Sequence, residues 1–193
     1  MAPTLETCIQ HGAASFVSFR WLGTIVLVAN AKSMQMRLIA VGKVREAYVA
    51  SAVADFQKRI VPYHRLTLDE VRAADGGAPE RAVATEGDAI LALLAPSDHV
   101  WLLERTGIEI ASEELASRIE ALAVGGTPKI TFVIAGTYGA SQALQDRANV
   151  RWSLSKLTFL HEWARAIVLE QLYRAAKIAR NEPKIPDYLC PST

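Results

Sequence analysis

Residues Lys129–Gly136 read "KITFVIAG", the most apolar strand-like run of the chain. A strand buried on both faces carries nearly continuous apolar residues, so this run is placed at the centre of a parallel sheet. Working outward, "HVWLLE" (His99–Glu104) and "MRLIAVG" (from Met36) read as further buried strands, the latter closed by Gly42. "RLTLDEV" (Arg65–Val71) alternates with period two, as a half-buried strand does. Helical patterns fill the intervals. Residues 45–60 place Tyr48, Ala52, Phe56 and Ile60 on one stripe and stop at Pro62. Glu80–Leu94 runs up to Pro96. After a turn expected at Gly107, Ser112 offers an N-cap, Leu115, Ile119 and Leu122 face inward, and Gly125-Gly126 ends the helix.

Downstream of the central run, a short helix begins at Ser141 and a long one covers His161–Arg180. The long helix turns Ala164, Ile167, Val168, Gln171, Leu172, Ala175, Ile178 and Ala179 inward. Gln171 is a polar intruder in that stripe and requires a partner. Strands alternating with helices predict an α/β fold: an open, mostly parallel sheet with helices on both faces.

Composition narrows the classes. The chain has 193 residues, 51% of them apolar, enough for one domain with a moderate core. A formal charge of +1 excludes bulk basicity. Locally, residues 151–180 carry six basic side chains against two acids, a face suited to phosphate or to plain solvation. Cys8 and Cys190 stand at opposite ends, with no spacing that suggests a metal site. Residues 1–35 differ in character and read as an N-terminal extension, poorly ordered or the product of a start placed too far upstream. The apolar run within Phe19–Ser33 is too short to span a bilayer, and it faintly resembles a signal peptide. Residues 36–193 form the domain, and nothing in them calls for a membrane.

Ligands of open α/β sheets sit beyond the carboxyl ends of the strands. Three loops lie there. "IAGTYGAS" (Ile134–Ser141) leaves the central strand with two glycines that permit close backbone approach. "LERTG" (Leu103–Gly107) ends a strand in an acid that could meet a ribose or an amino group. "LSKLTFLH" (Leu154–His161) offers hydroxyls, one lysine and free main-chain groups, with His161 at a helix start.

In order along the body, "MRLIAVGK", "LLERTG", "FVIAGTYGAS", "WSLSKLTFLH" and "ARAIVLEQLYRAAKIARNEP" resemble the ribosomal RNA large subunit methyltransferase H family, of the SPOUT superfamily. The resemblance implies a SPOUT-type fold with a C-terminal trefoil knot and a cytoplasmic homodimer. It implies S-adenosylmethionine as cofactor and N3 of a pseudouridine in helix 69 of 23S ribosomal RNA, within the 70S ribosome, as substrate. Carried over residue by residue, it assigns cofactor contacts to Leu103, Ala135, Gly136, Leu154, Ser155, Lys156, Leu157, Thr158 and Phe159. It assigns catalytic roles to His161, Arg165 and Tyr188, and RNA contacts to Arg165, Arg174, Lys177 and Arg180. No metal is implied. The chain departs from the family pattern at Ala135, where a glycine is usual, and at Leu160, where a proline is usual. It also lacks the terminal Tyr-His pair, reading "NEPKIPDYLCPST" instead. That tail raises the alternative of a catalytically impaired relative that binds cofactor or ribosome.

Overall fold

The computed structural model describes residues 33–74 and 77–182, together with the backbone of two earlier strands. Those strands, β1 (Val17–Trp21) and β2 (Thr24–Val28), pair antiparallel within a unit spanning Met1–Ala31. The rest of the extension, and the tail from residue 183 that includes Tyr188, lie outside the described residues.

The second unit, Lys32–Thr193, alternates strand and helix throughout. Its elements are β3 (Gln35–Val41), α1 (Ala47–Ile60), β4 (Arg65–Val71), α2 (Pro79–Leu91), β5 (His99–Glu109), α3 (Ser112–Val124), β6 (Lys129–Ile134), α4 (Gln142–Arg147), β7 (Val150–Ser153) and α5 (His161–Ala179). The five strands form one all-parallel sheet in the order β4-β3-β6-β5-β7. β6 is central, as its composition requires, and the alternating β4 lies at an edge. This is the open, parallel α/β architecture expected from the alternation of strands and helices. A threaded knot is not visible among the described residues.

The pleat divides the core in two. Met36, Leu38, Ala40, Trp101, Ile130 and Phe132 pack on one face with residues of α1, α3 and α5. Ile39, Val41, Val100, Leu102 and Val133 pack on the other with Ile90 of α2 and Leu144 of α4. Trp101, Phe132 and Trp152 form a triangle of tilted and edge-on rings with centroids 5.8–6.2 Å apart, the geometry aromatic quadrupoles favour.

Several local expectations change. On α1, Ile60 is buried as expected and Ala52 and Phe56 are half-buried against the core, but Val49 and Val53 are the other fully buried residues, whereas Tyr48 is exposed and lies against Trp163 at 5.7 Å between centroids. α2 ends at Leu91, before the Leu94 expected. Gly107 does not turn the chain, because β5 continues through it to Glu109. The Cβ of any other residue at position 107 would lie 2.6 Å from the Arg151 carbonyl carbon and oxygen, so the glycine permits backbone approach between β5 and β7. Ala111, not Ser112, is the N-cap of α3; the Ser112 hydroxyl donates to Gln171 Oε1 at 2.8 Å, supplying the partner that residue needed. On α5, Ile167, Gln171, Ile178 and Ala179 are half-buried, and the fully buried set includes Ala166, Leu169 and Ala176.

Candidate cofactor cleft and catalytic face

Opposite β7, strand β5 bulges. Leu103 and Ile108 both register with Trp152, so Glu104–Gly107 have no partner in the ladder. The displaced residues form one wall of a cleft of about 600 Å³ at the carboxyl ends of β5 and β6, within the range of cofactor sites. The turn after β6 forms the floor, closed by Gly139 N–H donating to the Gly136 carbonyl at 3.0 Å. Gly139 has φ +90°, a conformation glycine adopts without strain. The loop from Leu154 to Leu160 forms the third wall and is shaped by its own serines. Ser153 Oγ donates to the Ser155 carbonyl at 3.0 Å, and Ser155 Oγ accepts from Leu157 N–H at 3.1 Å.

The structure therefore brings together Leu103, Ala135, Gly136, Leu154, Ser155, Leu157, Thr158 and Phe159, as well as His161 at the first turn of α5. Lys156 is exposed and is not among the lining residues. Glu104 lines the wall, and its Oε2 has no hydrogen-bond partner; Arg151 approaches it only to 3.7 Å, an ion pair rather than a hydrogen bond.

Arg165, which the resemblance assigns to both the catalytic and the RNA-binding sets, is 2% exposed. Its guanidinium donates to the Val41 and Gly42 carbonyls, both at 2.7 Å, and to Glu70 at 3.1 Å. Burial pulls its pKa down and Glu70 pulls it back up. It ties α5 to the end of β3. The remaining basic residues of α5 are engaged within the chain. Arg174 pairs with Glu170, Lys177 with Glu182 at 3.0 Å, and Arg180 lies over the Tyr63 ring at 4.4 Å.

One functional group escaped the sequence reading. Glu86 on α2 is 7% exposed, its Oε1 accepts from Ala74 N–H at 2.9 Å, and its Oε2 has no partner. It packs directly beneath Gly136: a Cβ there would lie 3.0 Å from Glu86 Cδ and closer still to Oε2. A signal was present, since Glu86 interrupts the buried stripe of Ala82 and Ile90 at helical spacing.

A parallel sheet that gathers three loops into a cleft at its carboxyl edge, floored by a glycine turn, defines an open α/β protein with its cleft where such sheets hold their ligands. The family described as "Predicted SPOUT methyltransferase" matches residues 34–184. A Methanoregula boonei protein is 43% identical over 156 residues, 78% of this chain and 98% of that one. The ribosomal RNA large subunit methyltransferase H of Desulfitobacterium hafniense is 37% identical, and that of Carboxydothermus hydrogenoformans 39%, each over 158 residues with the same coverage. The chain belongs to the SPOUT methyltransferases, in the ribosomal RNA large subunit methyltransferase H family.

Proposed function

We propose that this protein transfers a methyl group from S-adenosylmethionine to N3 of a pseudouridine in helix 69 of 23S ribosomal RNA, in the assembled 70S ribosome, and that it works as a cytoplasmic homodimer. The names of its relatives supply the substrate class. One observation carries the reading: Leu103, Gly136 and Phe159, distant in sequence, line a single cleft.

The residues present fit such a cofactor. Apolar walls from Leu103, Ile134, Trp152 and Leu154 suit a purine and a methionine chain. The unpartnered oxygen of Glu104 suits a ribose hydroxyl or a cationic group, because a buried carboxylate oxygen without a donor is costly. Absence of a side chain at Gly136 lets the turn that forms the floor pack directly on Glu86. When bound, the sulfonium supplies an electrophilic methyl group. The chain's own part is alignment and exclusion of water, and alignment alone can contribute on the order of 7–11 kcal/mol. Ser155 holds the third wall in shape through Leu157 N–H. His161 stands where the cleft meets α5, in position to touch the accepting base. Arg165 positions that helix from below. Arg174, Lys177 and Arg180 are assigned to RNA phosphates, and Tyr188 to the catalytic face.

An exposed apolar rim surrounds the cleft. Tyr138, Leu157 and Leu160 are 60%, 71% and 71% exposed. Such a patch marks an interaction surface, which supports the dimer. Among the described residues no helix is long and apolar enough to cross a membrane, and no group of side chains could hold a metal.

Calorimetry with S-adenosylmethionine, followed by mass spectrometry of helix 69 from ribosomes incubated with protein and cofactor, tests the proposal. Binding together with a single added methyl is expected. Cofactor binding without methylation would instead identify the impaired relative that the altered tail suggests.

A further inference from the structure

The first turns of α1 and α5 carry two large rings that the core does not take. Tyr48 is 58% exposed and Trp163 is 39% exposed. Their centroids lie 5.7 Å apart with the planes tilted by 45°, so the pair forms a shallow V rather than a closed slot. Among the described residues, neither the Tyr48 hydroxyl nor the Trp163 indole N–H has a hydrogen-bond partner. The two helix starts are fastened to each other beside the rings. Glu162, the residue before Trp163, accepts from the Arg45 and Glu46 amides at 3.0 and 3.2 Å.

Two cations flank the rings. Lys43 and Arg45, just ahead of α1, are exposed, and among the described residues neither side chain makes an ion pair or hydrogen bond. The basic residues of α5 are, by contrast, already engaged within the chain. Lys43, Arg45 and His161 line one small pocket of about 240 Å³, and His161 also lines the cofactor cleft. The cations therefore stand on the cleft side of the rings. Trp163 does not line the cleft. It follows His161 by two residues, and on an α-helix that turns it about 200° away, at roughly 100° per residue.

Resting on the proposed methylation of ribosomal RNA, we propose that Tyr48 and Trp163 form a stacking platform for an unpaired base next to the target nucleotide, with Lys43 and Arg45 on the phosphates between them. Unpaired bases of RNA stack on aromatic side chains, and every base has a π-face, so such a platform fixes position without reading sequence. The phosphates supply the anions that the two free cations lack. The direction of Trp163 keeps the target base itself off the platform, because the cleft opens on the other side of the helix. Tyr48, Trp163, Lys43 and Arg45 are thus positioning residues: they hold the strand, and the held strand aligns the target base near His161. The competing occupant is a second copy of the chain. A twofold contact across this patch would bring the same uncompensated cations toward each other, whereas RNA neutralises them.

The test measures binding of the full chain to unmethylated 70S ribosomes over a salt series. S-adenosylmethionine affinity by calorimetry, expected to be unchanged in every variant, confirms that each is folded. Tyr48→Ala is expected to weaken ribosome binding about 5- to 150-fold at fixed salt, the worth of one stacked base, and to leave the salt slope at its wild-type value. Tyr48→Phe keeps the ring and is expected to stay within about three-fold of wild type. Lys43→Ala/Arg45→Ala is expected to reduce the slope of log affinity against log salt by about 1.4–1.8, at about 0.7–0.9 per phosphate contact. Wild-type ribosome affinity in a folded Tyr48→Ala variant overturns the platform. Sedimentation of Tyr48→Ala as a monomer where the wild type is a dimer also overturns it, by making the patch a subunit contact. If Tyr48→Ala does not fold, an unchanged salt slope in Lys43→Ala/Arg45→Ala overturns it instead. A wild type that binds cofactor but never methylates ribosomes refutes the parent reading, and that result is read without any variant.

Discussion

Gly136→Ala isolates the demand for space at the cleft floor. Gly136 is not among the glycines with positive φ, so alanine is conformationally acceptable there. The difficulty is contact. The added methyl would lie 3.0 Å from Glu86 Cδ and 3.2 Å from Oε1, and closer still to Oε2. Glu86 cannot simply swing away, because Oε1 holds Ala74 N–H at 2.9 Å and the side chain is buried. The turn bearing Gly136 must therefore move toward the cleft. Overpacking of this kind costs about 1–3 kcal/mol. If that strain falls on the ligand-competent conformation, S-adenosylmethionine affinity drops about 5- to 150-fold, at 1.4 kcal/mol per decade. Calorimetry on Gly136→Ala measures the loss, and Gly136→Ala/Glu86→Ala should restore most of the affinity by removing the obstructing carboxylate. Wild-type affinity in the single variant, or no recovery in the double, would refute the steric argument.

Three further outcomes follow from the fold. Gly107→Ala drives a methyl into the Arg151 backbone, which cannot rotate away, so denaturant unfolding should show a loss of about 3 kcal/mol or more; Gly126→Ala, with open space but φ +80°, should lose only about 1–2 kcal/mol. Arg165→Met leaves the Val41 and Gly42 carbonyls without their donor and should cost about 1–3 kcal/mol by the same measurement, beyond any effect on ribosome binding. His64 is buried, its Nδ1 accepts from Met34 N–H at 3.3 Å, and burial followed by the Arg180 charge lowers its pKa to about 4. The unfolded chain protonates this group near its ordinary value while the folded chain resists, so stability should fall as pH drops from about 6.5 to about 4, by roughly 3 kcal/mol at 1.36 kcal/mol per unit. His64→Asn, which retains an acceptor but does not titrate, should flatten that decline in pH-dependent melts.

The sheet was readable because its evidence is local. β6 announces its central place through an unbroken apolar run, and β4 its half-burial through alternation. What failed needed knowledge of the neighbours. Gly107 looks like a turn because glycine serves two ends, conformational freedom and absence of a Cβ, and one letter does not separate them. On α1 the series Tyr48–Ala52–Phe56 and Val49–Val53 both keep helical spacing, and only packing against β3 and α5 decides between them. The burial of Arg165 was not legible either, because a basic residue on a helix is usually solvated. It turns inward because the Val41 and Gly42 carbonyls at the end of β3 require a donor. At the site, the lining loops were legible from strand ends and glycines. Glu86 was not, because its significance arises only where α2 passes under the β6 turn.

The interrupted ladder between β5 and β7 has a kinetic corollary. Glu104–Gly107 are fastened at both ends, with Leu103 and Ile108 each anchored opposite Trp152, like a short arch on two piers. Across the cleft, Ser155–Leu160 carry no ladder or helix of their own, so amide exchange is expected to be faster there than at Leu103 and Ile108.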